Sequence, residues 1–357
     1  MNTFLADKNQ LSEDDVIKIA SDCLQQKVKV ISKLGRGGNS QVYHVICPSQ
    51  EYVVKFYFQD PSDSRDRLGI EFKSSSFLWE HGLRVIPRPV TLNQEHKCAF
   101  YEFIKGTPPG KDISQQDIDG AVYFLETLKG LSAQAADFNF KGASEAFFCG
   151  KDIVNNLRER LKRFSLEERT HEYVALQEYL KNEFLPLLDA VEAWSKEYIT
   201  GQSVSWTQDL SKQYWTLSPS DFGFHNALRT SAGSMVFLDF EYFGWDDPAK
   251  LVSDFLWHQH EAMNMPGKFK MYFVQRMSTI FGKDPYFKIR LNSVFPLFGL
   301  KWCLILLNEF IHTDAQRREF AQPPIKNKTE TRLEQLAKAK MMSKKIKAIY
   351  KDFPYGC

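Results

Sequence analysis

Asp221 and Asn226 lie five positions apart in LSPSDFGFHNALR, and Asp239 follows in VFLDFEYFGWDDP. A carboxylate can take a proton from a hydroxyl. Asn carbonyl and Asp carboxylate oxygens are also the hard donors that Mg²⁺ prefers. Both residue types are common turn formers as well, so the weight of these three depends on the rest of the chain. In LGRGGNSQVYHV, Gly35, Gly37 and Gly38 fall between two expected strands, where backbone without Cβ atoms can approach a ligand and turn N–H groups toward phosphate oxygens. An ordinary hairpin turn would read the same way in isolation. Lys55 stands in the apolar run YVVKFYF, an expensive place to bury an ammonium without a partner. Glu71, in RLGIEFKSSSFLWEHG, is the candidate partner.

The elements that must position these residues follow two grammars. Ser12 and Asp15 form a capping box before the helix at VIKIA. VKVISKLG, QVYHVI and EYVVKFYF are rich in β-branched and aromatic residues and read as strands. A helix ends near FLWEHG, with Gly82 as its stop, and two strands follow at RPVTL and CAFYEFI. Beyond GTPPG the apolar residues recur at helical spacing in DIDGAVYFLETLKGLSAQ, DIVNNLRERLKRF and ALQEYLKNEFLPLLDAVEAW. MVFLDFEYF reads as a short strand carrying Asp239. The expected architecture is α+β, with a β-rich lobe over residues 1–104 and a helical lobe over 105–357.

Composition narrows the function. The 357 residues are 43% hydrophobic and 14% aromatic, enough to bury a large core. Lys plus Arg number 46 against 44 Asp plus Glu, so charge gives no reason to expect nucleic acid as a partner. The lysine-rich AKAKMMSKKIKAIYK reads as the solvated face of a helix. The run from Leu297 to Ile311 is broken by Lys301, Asn308 and Glu309, which predicts a core helix and no membrane span. The opening residues lack the pattern of a signal peptide. The six cysteines have no paired spacing, and reduced thiols in the cytoplasm are the expectation.

Taken in order, the Gly-rich hairpin, strand lysine, helix glutamate, Asp-x4-Asn loop and later Asp resemble the protein-kinase-like fold, and more narrowly the aminoglycoside phosphotransferase and choline kinase family. That family pairs a His-Gly-Asp-x4-Asn loop with an Ile-Asp-Phe/Trp-Glu strand and a Gly-x-x-Asp-Pro turn. Here the second pattern is matched by Asp239, Glu241, Gly244, Asp247 and Pro248, and the likeness runs from about Val28 to Asp254. The resemblance implies ATP (or GTP) as co-substrate with Mg²⁺. It implies that Asp221 is the base or aligner for an acceptor hydroxyl, and that Asn226 and Asp239 hold the metal. Lys55, steadied by Glu71, would meet the α/β-phosphates, and the backbone of Glu102, Phe103 and Ile104 would meet adenine.

Pro219 and Ser220 replace the family's histidine and glycine, which bears on how the loop packs. His225 is read as a loop support or core residue. The acceptor is expected to meet Asp246, Asp254, Trp257 and His258, the last three sharing a helix face. Core packing for Trp257 and a helix-stabilising role for Asp254 are the alternative. His258 and His260 would face opposite sides of a helix, and with no Cys-x-x-Cys nearby they make no zinc-deaminase site. The acceptor classes implied are a metabolite, sugar, amino alcohol or antibiotic. The alternative is a catalytically silent kinase-like module that binds nucleotide or a partner. Side chains of proteins are disfavoured as acceptors, because no Ala-Pro-Glu segment follows Asp239.

Overall fold

The computed structural model describes residues 11–34, 40–58, 65–164, 169–311 and 327–356. Gly35, Gly37 and Gly38 lie outside the described residues. Two compact units divide the chain between Lys105 and Gly106, and the second also takes in the C-terminal helix Lys328–Ile349.

Among the described residues, the first unit is a five-stranded antiparallel sheet with two helices. Helix α1 (Glu13–Leu24) opens with the expected box, in which Ser12 Oγ accepts the Asp15 N–H and the Asp15 carboxylate accepts the Ser12 N–H. Strands β1 (Val30–Leu34), β2 (Ser40–Ile46), β3 (Glu51–Tyr57), β4 (Pro89–Asn93) and β5 (Cys98–Glu102) stand in the order β1-β2-β3-β5-β4. Successive strand residues point to opposite faces. Tyr52, Val54 and Phe56 of β3, with Cys98 and Phe100 of β5, join Val16, Ile19 and Ala20 of α1 in one core. The residues between them, Lys55, Tyr57, Ala99 and Tyr101, face the other way. There α2 (Arg67–Glu80) supplies Leu68 and Glu71. The period-2 pattern therefore puts Lys55 and Glu71 on the same side of the sheet. Helix α2 takes His81 as its C-cap, and Gly82 follows at φ +88°.

The second unit is mostly helical: α3 (Gln115–Gly130), α4 (Ser132–Ala135), α5 (Gly150–Lys162), α6 (His171–Tyr179), α7 (Leu185–Gly201), α8 (Pro248–Trp257), α9 (Gly267–Ile280) and α10 (Phe287–Leu306). The stretch expected as one helix around Leu176–Trp194 is α6 and α7 joined by a π-turn at Leu180–Phe184. Pro186, in the first turn of α7, has no N–H to give, and the wider turn ahead of it absorbs the interruption. Helix α10 is the centre of the unit, with α7, α8 and the C-terminal helix packed on it. By length and composition Phe287–Phe310 could cross a membrane, yet 78% of its most apolar window is buried within the protein. Free energy from apolar burial accounts for such a sequence without a lipid phase.

Two small sheets carry the functional loops. Strand β7 (Thr216–Ser218) pairs with β10 (Gly244–Asp246), while β6 (Gly106–Thr107), β8 (Ala227–Thr230) and β9 (Met235–Phe237) form the other. A Cβ on Gly244 would lie 2.4 Å from Lys141 O and 2.5 Å from Ala143 N, so no larger residue fits there. Asp247 then caps α8 by accepting the Ala249 N–H, and Arg290 of α10 grips both its oxygens at 2.9 and 3.0 Å. Gly244, Asp247 and Pro248 thus form one junction, which turns β10 into α8 and ties both to the core helix.

Candidate active site

The loop after β7 sorts its side chains by polarity. Phe222 and Phe224 are buried; Phe222 stacks on Phe124 at 5.2 Å and Phe224 meets Phe255 edge-on. These two rings anchor the loop, and Asp221, His225 and Asn226 remain for other work. Between the anchors, a Cβ on Gly223 would lie 2.7 Å from Met263 Sδ, so only glycine lets the Phe224 N–H reach that sulfur at 3.1 Å.

Ser220 occupies the left-handed region at φ +68°, which costs a residue with a Cβ about 1–2 kcal/mol. This explains why glycine suits the position and how serine can replace it. The Ser220 hydroxyl donates to Ser144 O at 2.9 Å and accepts from Lys250 Nζ at 3.2 Å, while its N–H donates to Ser218 Oγ at 3.0 Å. Asp221 N–H returns to Pro219 O at 2.9 Å. The loop is therefore held by hydroxyls, an ammonium and its own backbone, with proline where the resemblance expects histidine.

Asp221 keeps 40% of its side-chain surface exposed. Its Oδ1 lies 3.1 Å from His225 Nε2 and 3.5 Å from His258 Nε2. Burial pushes the carboxyl up, but the two imidazoles outweigh it and hold Asp221 well below the usual carboxylate range. Burial also holds His258 below the ordinary imidazole range, against the pull of Asp221. Asn226 donates from Nδ2 to Asp221 O at 3.0 Å, which fixes the amide and leaves Oδ1 to serve a cation. The Leu238 N–H donates to Asn226 O at 2.8 Å, placing Asn226 and Asp239 at the same end of the β8–β9 pair.

Asp239 differs from expectation. The strand stops at Phe237, and Asp239 lies beyond it at φ +67°, a conformation that no extended strand contains. Such a backbone outlier at a polar residue fits a functional position. An amide oxygen and a carboxylate are hard-oxygen donors of the kind Mg²⁺ takes.

In the first unit, Lys55 Nζ donates to Glu71 Oε2 at 2.7 Å, and both side chains are buried. Tyr57 donates to the same oxygen at 2.9 Å and meets the Tyr101 hydroxyl at 3.0 Å. Glu102 ends β5, where its N–H donates to Arg88 O. The Phe103 N–H reaches Glu51 O at 3.4 Å, and the Phe103 ring stacks on His44 at 3.8 Å. Ile104 follows, before Lys105.

The residues assigned to the acceptor separate. Helix α8 ends at Trp257, so His258 does not share its face; as C-cap, with ψ 134°, His258 turns off the axis and reaches Asp221. The helical-face argument for His258 and His260 fails for the same reason. The two rings are 6.5 Å apart, and the His260 N–H donates to His258 Nδ1 at 3.1 Å. Trp257 is core: it stacks on Phe295 at 4.7 Å and donates from Nε1 to Phe295 O at 2.8 Å. Trp257→Ala is expected to cost about 3–5 kcal/mol, read as a lower denaturant midpoint; an unchanged midpoint would contradict this packing.

Asp246 and Asp254 enter a buried row of alternating charge. Lys250 Nζ lies 2.7 Å from Asp246 Oδ2 and 3.3 Å from Asp254 Oδ2. Lys301 Nζ is 3.9 Å from Asp254 Oδ2 and 3.1 Å from Glu145 Oε2, and Arg160 pairs with Glu145. Burial alone would lower Lys250, but the two carboxylates reverse this and keep it protonated. Trp302 completes the edge, donating to Asp254 Oδ1 at 3.0 Å and meeting His258 edge-on at 4.5 Å. Lys250 was legible as a cation four residues from an acid on each side. His225 stood four residues after Asp221, though nothing in the sequence showed the loop folding back on itself.

Comparisons with known proteins bear on the family and the fold. The model of the phosphotransferase enzyme family matches residues 30–263, more than half of the chain, and the chain belongs to that family. No curated protein matches in a sequence search. Among solved structures, the spectinomycin phosphotransferase APH(9)-Ia in complex with ADP and spectinomycin is 13% identical with a TM-score of 0.58, covering 91% of this chain and 99% of that one. Choline kinase LicA from Streptococcus pneumoniae is 13% identical at a TM-score of 0.58, covering 93% and 99%. The gentamicin complex of APH(2")-IIa is 16% identical at 0.59, covering 98% and 99%. These likenesses define the fold as α+β and protein-kinase-like.

Proposed function

We propose that the chain transfers the γ-phosphoryl group of ATP to a hydroxyl of a small-molecule acceptor. The observation that carries this reading is the Asp221 carboxylate, ionised and partly open, on a loop anchored by Phe222 and Phe224 with Asn226 hydrogen-bonded to its backbone. Phosphoryl transfer needs positioning and charge neutralisation more than covalent help. An ionised Asp221 accepts a hydrogen bond from the acceptor hydroxyl, aims its oxygen, and takes its proton as the new P–O bond forms and the bond from the γ-phosphorus to the bridging oxygen breaks, releasing ADP. Lys55, fixed by Glu71 and Tyr57, offers a positioned ammonium to the α/β-phosphates. Asn226 and Asp239 would hold Mg²⁺, which when bound supplies positive charge to the phosphates. The backbone from Glu102 to Ile104 meets adenine in this reading, and Gly35, Gly37 and Gly38 the phosphates.

Retention of Lys55, Glu71, Asp221, Asn226 and Asp239 together speaks against the silent module. The acceptor is a hydroxylated metabolite, sugar, amino alcohol or antibiotic, and a phosphorylation screen across these classes identifies it. Of the residues first assigned to it, His258 is beside Asp221, and Asp254 reaches that edge through Trp302.

Saturating Mg²⁺-ATP is expected to raise the melting temperature, with EDTA or Asp239→Ala removing most of the gain, because only ligand that binds the native state stabilises it. A metal-independent shift, or none, would count against the assignment.

A further inference from the structure

We propose that His225 and His258 are positioning residues that hold Oδ1 of Asp221, leaving Oδ2 to meet the acceptor hydroxyl. The inference rests on the role of Asp221 given above. It starts from the tautomer of His258. Its Nδ1 accepts the His260 N–H at 3.1 Å, and an imidazole nitrogen that accepts carries no proton. In the neutral ring the proton is therefore on Nε2, the atom 3.5 Å from Asp221 Oδ1. At that separation the two atoms are in close approach without a hydrogen bond, and a small shift of the ring would complete one.

His225 makes the shorter contact, Nε2 to Oδ1 at 3.1 Å. Its Nδ1 is buried with no hydrogen-bond partner among the described residues. A proton there would leave an N–H desolvated and unused while Nε2 faced a carboxylate with its lone pair. Placing the proton on Nε2 avoids both costs. The two rings stack at 3.7 Å with planes 17° apart, and Trp302 closes the far edge of His258. Stacking opposes rotation of either ring, so both Nε2 atoms stay directed at one oxygen as a clamp.

The same three side chains could be taken for a transition-metal site, since their ligand atoms lie within 4.8 Å of one another. Metal binding through Nε2 would move the His258 proton to Nδ1, setting N–H against the His260 N–H. The hydrogen bond to Nδ1 thus favours the clamp over the metal.

The test uses the full chain and slow hydrolysis of Mg²⁺-ATP, with water in place of the acceptor. His258→Leu is expected to lower kcat about tenfold with the KM for Mg²⁺-ATP unchanged, and His258→Gln, which keeps an N–H donor, to recover most of the loss. In an Asp221→Asn background His258→Leu should add nothing, because the clamp then has no carboxylate to hold. A loss that Gln does not rescue, that adds to Asp221→Asn and that comes with a raised KM would make the histidines structural and overturn the proposal. Undiminished hydrolysis by His258→Leu would overturn it too. If Asp221→Asn itself hydrolyses normally, the role of Asp221 fails first; if only Asp221→Asn is impaired, the clamp fails alone. Long-range ¹H–¹⁵N NMR of the ring nitrogens should independently show protonated Nε2 on both histidines. Protonated Nδ1 on His258 would reject the clamp and restore the metal reading.

Discussion

Asp221→Asn is expected to slow phosphoryl transfer by roughly 10²–10⁴ while Mg²⁺-ATP binds about as tightly as before. The substitution keeps the shape of the side chain and removes its negative charge and basicity. The loop should survive, because Phe222 and Phe224 anchor it and Asn226 bonds to the backbone of residue 221, not to its carboxylate. Steady-state kinetics with the identified acceptor, alongside nucleotide titration, separates the two quantities. Near-normal turnover would remove Asp221 from the mechanism, and a parallel loss of ATP affinity would place it in the nucleotide site.

The second large effect concerns Lys55 and Glu71. Both are buried, so Glu71→Ala deprives the ammonium and the Tyr57 hydroxyl of their shared acceptor and should destabilise by about 3 kcal/mol. Replacing the pair together, as Lys55→Met with Glu71→Leu, removes both charges at similar volume and should restore much of that stability. The double variant should still lack phosphoryl transfer, since the phosphates lose their ammonium. Chemical denaturation and turnover measured on the same three proteins check this. A double variant as unstable as Glu71→Ala would show that the pair is structural first, and an active one would release Lys55 from its role.

Sequence pattern carried far where it obeyed a period. Alternation along β3 put Lys55 opposite the core face and toward Glu71, and the Ser12–Asp15 box located α1. It carried less where the backbone left regular geometry. Helical spacing ran one residue past Trp257, because HQHE contains no glycine to mark the stop. The apolar run before Asp239 read as continuous strand, since the left-handed turn there is made by a residue type that tolerates it without advertising it. Trp257 was ambiguous on chemistry alone: an indole can stack on a ligand or fill a core, and only the position of Phe295 decides. The clamp on Asp221 joins two segments far apart in the chain, which no local pattern encodes.

The buried row beside the loop has a bearing on how this protein can change. Three carboxylates (Asp246, Asp254, Glu145) alternate with three cations (Lys250, Lys301, Arg160), so the row sums to zero. Seen from well outside the row, the alternating charges largely cancel, while Lys250 at its near end bonds to Ser220 beside Asp221. Altering one member exposes a whole unit charge in a medium that screens it poorly. Single steps along this row therefore disturb both the core and the electric environment of the reaction, whereas compensated double steps disturb neither. The charged row beneath the loop can thus change only in pairs.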